Sequence, residues 1–226
     1  MGIKENIEKL KLEIPNEVKL LAVSKTKPLD DLEKAYAEGM RDFGENKVQE
    51  LMEKYENFHK DVRWHFIGHL QTNKVKYLVD KVYLIHSLGS INLLNEIEKT
   101  FGKSNKIANT LVQINIGREE SKSGILTEEL YDFLSKIEEC KYVSVKGIMV
   151  IIPKGDEDSN RRYFKETKKI FEDLKLKKYK NITMEILSMG MSQDYKIAIE
   201  EGSNLVRIGE GIFGKRNYNI GGENNE

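Results

Sequence analysis

The sequence predicts an α/β fold: one (β/α)8 barrel of the TIM type, with an extra helix ahead of the first strand. Short apolar runs with β-branched residues recur between amphipathic stretches, and the alternation repeats eight times. Only three prolines occur, at 15, 28 and 153, and no Gly/Ser linker interrupts the 226 residues, so positions 1–226 read as a single domain. An open doubly wound sheet could hold the same alternation, but eight units with no remaining domain fit the closed barrel better.

The elements follow in order. Residues 3–12 form the amphipathic stretch that precedes the first strand at 20–24. Leu29, Leu32, Ala35 and Tyr36 make a helical stripe that Pro28 can open and Gly39 can close. A short strand at 41–45 is followed by Val48, Leu51, Met52, Tyr55 and Phe58 at helical spacing. Further strands are expected at 64–67, 82–85, 110–116, 143–151, 185–187 and 205–208. Helical patterns lie near 75–78, 91–101, 130–137, 163–174 and 195–199. The connections after strands two and three are short. The tail beyond Lys215 reads as frayed.

Composition excludes several classes. With 37 basic and 37 acidic residues the formal charge is zero, which argues against a dedicated nucleic-acid binder. Cys140 is the only cysteine, so an intrachain disulfide and a CxxC-type metal site are both ruled out, and no metal is expected. The start lacks the apolar core of a signal peptide, and Asn6 stands where myristoylation of Gly2 would want Ser or Thr. No apolar run approaches a membrane span. A cytoplasmic protein without a membrane partner is the expectation.

Function in such a barrel gathers at the carboxyl ends of the strands, with phosphate favoured after strands seven and eight. Strand eight runs into Gly209-Glu210-Gly211-Ile212-Phe213-Gly214, which spells the dinucleotide fingerprint GxGxxG. That fingerprint needs a following helix, a second strand and an acidic residue some twenty positions on, and only twelve residues remain. Small residues after two consecutive strands suit phosphate better, because glycines let backbone N–H groups approach an anion. Ser192 can donate to a phosphate oxygen or cap the helix beginning near Asp194. Lys25, one of 30 lysines, follows Leu20-Leu21-Ala22-Val23 at the end of a buried strand. An amine held there among apolar neighbours loses part of its preference for the ammonium form and becomes a nucleophile for an aldehyde. The plainer alternative pairs Lys25 with Glu45 or another carboxylate at the mouth. Arg207 lies within an apolar strand and needs a partner, either a cofactor ring nitrogen or a carboxylate such as Glu185.

The segments LAVSKTKP (21–28), FGENKVQE (43–50), WHFIGHLQTNK (64–74), QIN…SKSGI (113–125), LSMGMSQD (187–194) and VRIGEGIFGKR (206–216) resemble the pyridoxal phosphate homeostasis protein family. That family is similar to the barrel domain of fold-type III, alanine-racemase-like enzymes. The resemblance implies a Schiff base from Lys25 to pyridoxal 5'-phosphate (PLP). It implies Ser188, Ser192, Gly209 and Glu210 around the phosphate, the last two through backbone amides. It implies Arg207 opposite the pyridine nitrogen, with Asn46 and Met149 lining the pocket. Residues 147–151 depart slightly from the family's usual strand-six text, and His69 stands where the family varies.

The ring of PLP acts as an electron sink, and the protein selects the reaction. An arginine opposite the ring nitrogen weakens that sink. Racemases of this fold type add a tyrosine from a further β domain, and no such domain is expected here. His65 and His69, four apart near the end of strand three, and His86 at the end of strand four are the candidate second bases. The expectation is a monomeric PLP carrier without turnover, in transient contact with PLP-dependent enzymes. The rival is a small fold-type III amino-acid racemase or lyase.

Overall fold

Residues 2–119 and 122–214 are described by the structure, a computed structural model, so the tail read as frayed lies outside the described residues. Eight parallel strands pair in chain order and close on themselves. They are β1 (Lys19–Val23), β2 (Asp42–Glu45), β3 (Arg63–Phe66), β4 (Leu84–Leu88), β5 (Ala108–Ile114), β6 (Val143–Val150), β7 (Ile182–Met191) and β8 (Leu205–Ile208). The closing register sets Lys19 against Leu205 and Leu21 against Arg207.

The helices are α1 (Ile3–Glu13), α2 (Leu29–Ala37), α3 (Val48–Asn57), α4 (Ile91–Lys103), α5 (Leu130–Glu138), α6 (Glu157–Lys175), α7 (Tyr195–Glu200) and α8 (Glu210–Phe213). The apolar stripes of these helices meet the outer faces of the strands, burying Leu32, Leu51, Phe43 and Trp64 almost completely. Phe43, Phe58 and Trp64 form a tilted aromatic cluster between β2, β3 and the chain after α3. Helix α8 has four residues, with Ile212 and Phe213 buried. The extra helix α1 packs against α2 and α8, and Asn6 Nδ2 donates to the Ile212 carbonyl at 3.0 Å.

Three expectations need correction. The fourth strand is Leu84–Leu88 rather than 82–85, because His86 and Ser87 are buried strand residues despite their polarity. The seventh extends from Ile182 to Met191 instead of stopping at 187: Ser188 pairs with Met149, and Met191 with Arg207. Gly190 (φ 93°) makes this extension feasible, since a Cβ there would stand 2.5 Å from Ala198 Cβ. The helical pattern near 75–78 is a 3-10 helix, Thr72–Tyr77. In the first two cases polar residues near the barrel mouth hid a strand from a reading based on apolar runs.

Candidate functional site

A cleft of about 560 Å³ opens at the carboxyl ends of the strands, within the range of small-ligand sites. Lys25, Asn46, Ser192, Asp194, Arg207, Gly209 and Glu210 all line it. Lys25 follows β1 by two positions and is partly buried. Below it Glu45, which the sequence offered as the plain partner of Lys25, is fully buried, and its Oε1 takes bonds from Ser24 Oγ (2.5 Å) and Lys54 Nζ (2.9 Å). Burial pushes the Glu45 carboxyl up to about 7 against the pull of Lys54.

On the opposite wall, β8 leads through Gly209 into α8. A side chain at Gly209 would stand 3.1 Å from the Val23 carbonyl, so glycine lets this loop close against the end of β1. Ser192 Oγ accepts from the Gly211 amide at 3.2 Å and ties the two loops together. The cap of α7 is Asp194, not Ser192, and its carboxylate accepts from the Met191 amide at 2.6 Å. Burial raises the Asp194 carboxyl, opposed by that amide and by Arg207.

Arg207 is 4% exposed, and Glu185 is not its partner. Its guanidinium donates to the carbonyls of Ser188 (2.9 Å) and Val150 (2.8 Å) and to Ser188 Oγ (2.6 Å). Glu185 lies at the opposite end of the barrel, beside Lys19 and Lys146. Burial pushes Arg207 down to about 10, with Asp194 opposing.

Beneath Arg207 runs a file of polar groups. Ser188 Oγ lies 3.4 Å from His86 Nδ1, His86 Nε2 lies 2.9 Å from His65 Nδ1, and His65 Nε2 lies 3.0 Å from Asp42 Oδ1. Because β4 and β7 are not neighbours, the His86–Ser188 contact crosses the lumen. Its polarity is forced from both ends. Arginine only donates, so Ser188 turns its proton toward His86. Asp42, held far down in the acid range by Arg63 and His65 against the cost of burial, only accepts, so His65 carries its proton on Nε2. The proton between the rings therefore belongs to His86 Nε2. Burial lowers both imidazoles, His86 strongly, which keeps them neutral. Among the described residues no group of three or more His, Cys, Asp or Glu side chains is placed to hold a metal.

Residues 2–217 match the family model for the alanine racemase N-terminal domain. A pyridoxal phosphate homeostasis protein of Aquifex aeolicus is 45% identical over 206 residues, covering 90% of this chain and 89% of the relative. The chain belongs to the pyridoxal phosphate homeostasis protein family. Among solved structures, PipY of Synechococcus elongatus PCC7942 without PLP matches with a TM-score of 0.89 at 31% identity, covering 94% of this chain and 100% of PipY. PipY with PLP bound matches with a TM-score of 0.85 at 30% identity and the same coverage.

In this member of the family, the cleft gathers six of the eight residues singled out from the sequence: Lys25, Asn46, Ser192, Arg207, Gly209 and Glu210. Ser188 and Met149 sit lower, inside the barrel. Ser188 is held by Arg207 and His86, and Met149 packs with Leu84 and Leu111. His69 does not join His65: it is exposed beyond β3 and bonds Ser123 Oγ at 2.9 Å. His86 lies inside β4 and pairs with His65 instead. The sequence reading missed Asp42, Lys54 and Asp194. A signal existed for Lys54, which falls three residues after Leu51 on the apolar stripe of α3, where a lysine is out of place.

Proposed function

We propose that this protein binds PLP for cofactor homeostasis, holding it as a Schiff base on Lys25 without enzymatic turnover. The observation that carries the proposal is a primary amine after β1 and a glycine loop after β8 lining one cleft. The ligand fits that arrangement. It supplies an aldehyde, which a lysine amine takes up with loss of one water, and a phosphate, which closely approaching backbone amides can bind. In this reading Ser192, Gly209 and Glu210 surround the phosphate, with Ser188 supporting them from below through Arg207. Arg207 faces the ring, and Asn46 lines the pocket above the Met149 layer.

Absence of turnover is favoured by where the histidines stand. His65 and His86 are buried in the file beneath Arg207 and do not line the cleft, while His69 is engaged by Ser123. The name shared by the relatives supports the same role. The proposal includes a single-domain, monomeric, cytoplasmic protein that touches PLP-dependent enzymes transiently. No helix among the described residues is long and apolar enough to cross a membrane.

Borohydride reduction of the PLP-loaded protein followed by peptide mapping tests the lysine. A pyridoxyl adduct on Lys25 is expected, and an unmodified Lys25 sinks the proposal. Exchange of amino-acid α-protons with deuterated water tests turnover. Exchange well above that of free PLP, lost on His65→Ala or His69→Ala, would instead establish the racemase or lyase alternative.

A further inference from the structure

We propose that Lys54, on the outer helix α3, is the positioning residue for Lys25, clamping the backbone on both sides of it. The inference rests on the reading of Lys25 as the PLP carrier. Lys54 is 5% exposed, and its Nζ reaches three acceptors: the Ser24 carbonyl (2.9 Å), Glu45 Oε1 (2.9 Å) and Glu50 Oε1 (2.8 Å). An ammonium has three protons, so each is used. Ser24 immediately precedes Lys25, and its hydroxyl also donates to Glu45 Oε1. Thr26 immediately follows, and its backbone N–H donates to the same Glu50 oxygen at 2.5 Å. One buried cation thus ties both neighbours of Lys25 to a single helix.

The turn needs such a clamp. Thr26 adopts φ 65°, a left-handed conformation that a β-branched residue disfavours, so the chain does not rest there unaided. Within the turn's own backbone the Lys27 amide donates to the Ser24 carbonyl at 3.0 Å, and that carbonyl is the one Lys54 also holds. For stability alone the choice of residue is poor. Position 54 lies on the apolar face of α3, and burying an ammonium there costs desolvation that a leucine would avoid. What the ammonium adds is a fixed position for the Ser24–Thr26 backbone, and with it the point from which the Lys25 side chain enters the cleft.

Two ligands separate positioning from bulk support: PLP, and pyridoxine 5'-phosphate, which shares the ring and phosphate but carries a hydroxymethyl group in place of the aldehyde. In the full chain, Lys54→Met should bind pyridoxine 5'-phosphate within about twofold of the parent, while borohydride-trappable PLP on Lys25 forms at least tenfold more slowly. Lys54→Arg, which keeps the donors, should recover most of the rate. Should Lys54→Met fail to fold, Glu50→Ala removes the Thr26 anchor and one of the three Lys54 acceptors, leaving Lys54 on Glu45 and the Ser24 carbonyl, and should slow trapping severalfold with pyridoxine 5'-phosphate binding unchanged. Trapping at the parental rate in either folded variant, or parallel loss of both ligands, overturns the proposal. A parent chain that gives no adduct at Lys25 takes down the carrier reading and this inference together; parental trapping in the variants takes down this inference alone.

Discussion

Leu84, Leu111 and Met149 fill one side of the barrel lumen with hydrocarbon, whereas the other side holds the hydrogen-bonded file from Asp42 through His65, His86 and Ser188 to Arg207. Both sides are buried except at Asp42, which is partly exposed, and β4 contributes to both, with Leu84 and His86 two positions apart on one face. The apolar side stabilises by area and tolerates any filler of similar shape. The polar side has a direction: from Ser188 to Asp42 each hydroxyl or ring N–H donates to one acceptor, so the orientation of the Ser188 hydroxyl beneath Arg207 is specified from the far end of the barrel. A packed apolar replacement for such a file is often no less stable, so what the file contributes is orientation of the group at the mouth.

Mutations on each side test this contrast. Leu111→Ala should cost about 2–5 kcal/mol of unfolding free energy, the usual range for a fully buried leucine. Urea melts measure this, and PLP trapping on Lys25 should be unaffected once the variant is folded. A trapping defect equal to that of file mutants would erase the distinction. On the polar side, His86→Phe keeps the bulk but strands the Ser188 hydroxyl and His65 Nδ1, at a cost of about 1–3 kcal/mol. PLP affinity should fall with it, because Arg207 loses the support that sets its direction. His86→Gln, whose amide can accept from Ser188 and donate to His65, should restore most of both. Identical behaviour of the two variants would show that the file has no directional role.

The smallest effect is in the pH dependence. The folded imidazoles of His65 and His86 are lowered from their ordinary 6.5, so below that pH the unfolded chain takes up protons the folded chain refuses. Their contribution to stability is present above 6.5 and is lost as pH falls, by at most about 1.4 kcal/mol per pH unit for each histidine. Glu45 runs the other way: its carboxyl is raised from 4.5 to about 7, so its protonated form favours the fold as pH drops through that window. The difference between the parent and His86→Gln isolates the histidine. Between pH 6.5 and 5 the variant should show the shallower acid loss, and parallel slopes would mean that His86 titrates as it does in the unfolded chain.

The strands that the sequence revealed best were those carrying an unbroken apolar run, such as β1 with Leu20, Leu21, Ala22 and Val23. The two misjudged most, β4 and β7, carry His86-Ser87 and Ser188-Met189-Gly190 in their second halves, which look like turns until their backbone is paired. Lys25 was legible because a basic residue interrupts the end of an apolar run. Lys54 was legible in principle, by its place on a helical stripe. Asp42 and Asp194 carried no such mark, since a carboxylate at a strand start or a helix cap has local explanations enough.

By itself the sequence determined the alternation of strands and helices, the closed barrel, and the mouth loops that bear Lys25, Ser192 and Gly209, because periodicity and small residues at strand ends are local properties. Only the tertiary structure decided that His86 meets His65 and Ser188, that Arg207 rests on carbonyls instead of Glu185, and that Lys54 reaches around Lys25. Those pairings join residues up to 102 positions apart, across a lumen or between layers. Barrel closure sets such distances, and no stretch of chain carries them.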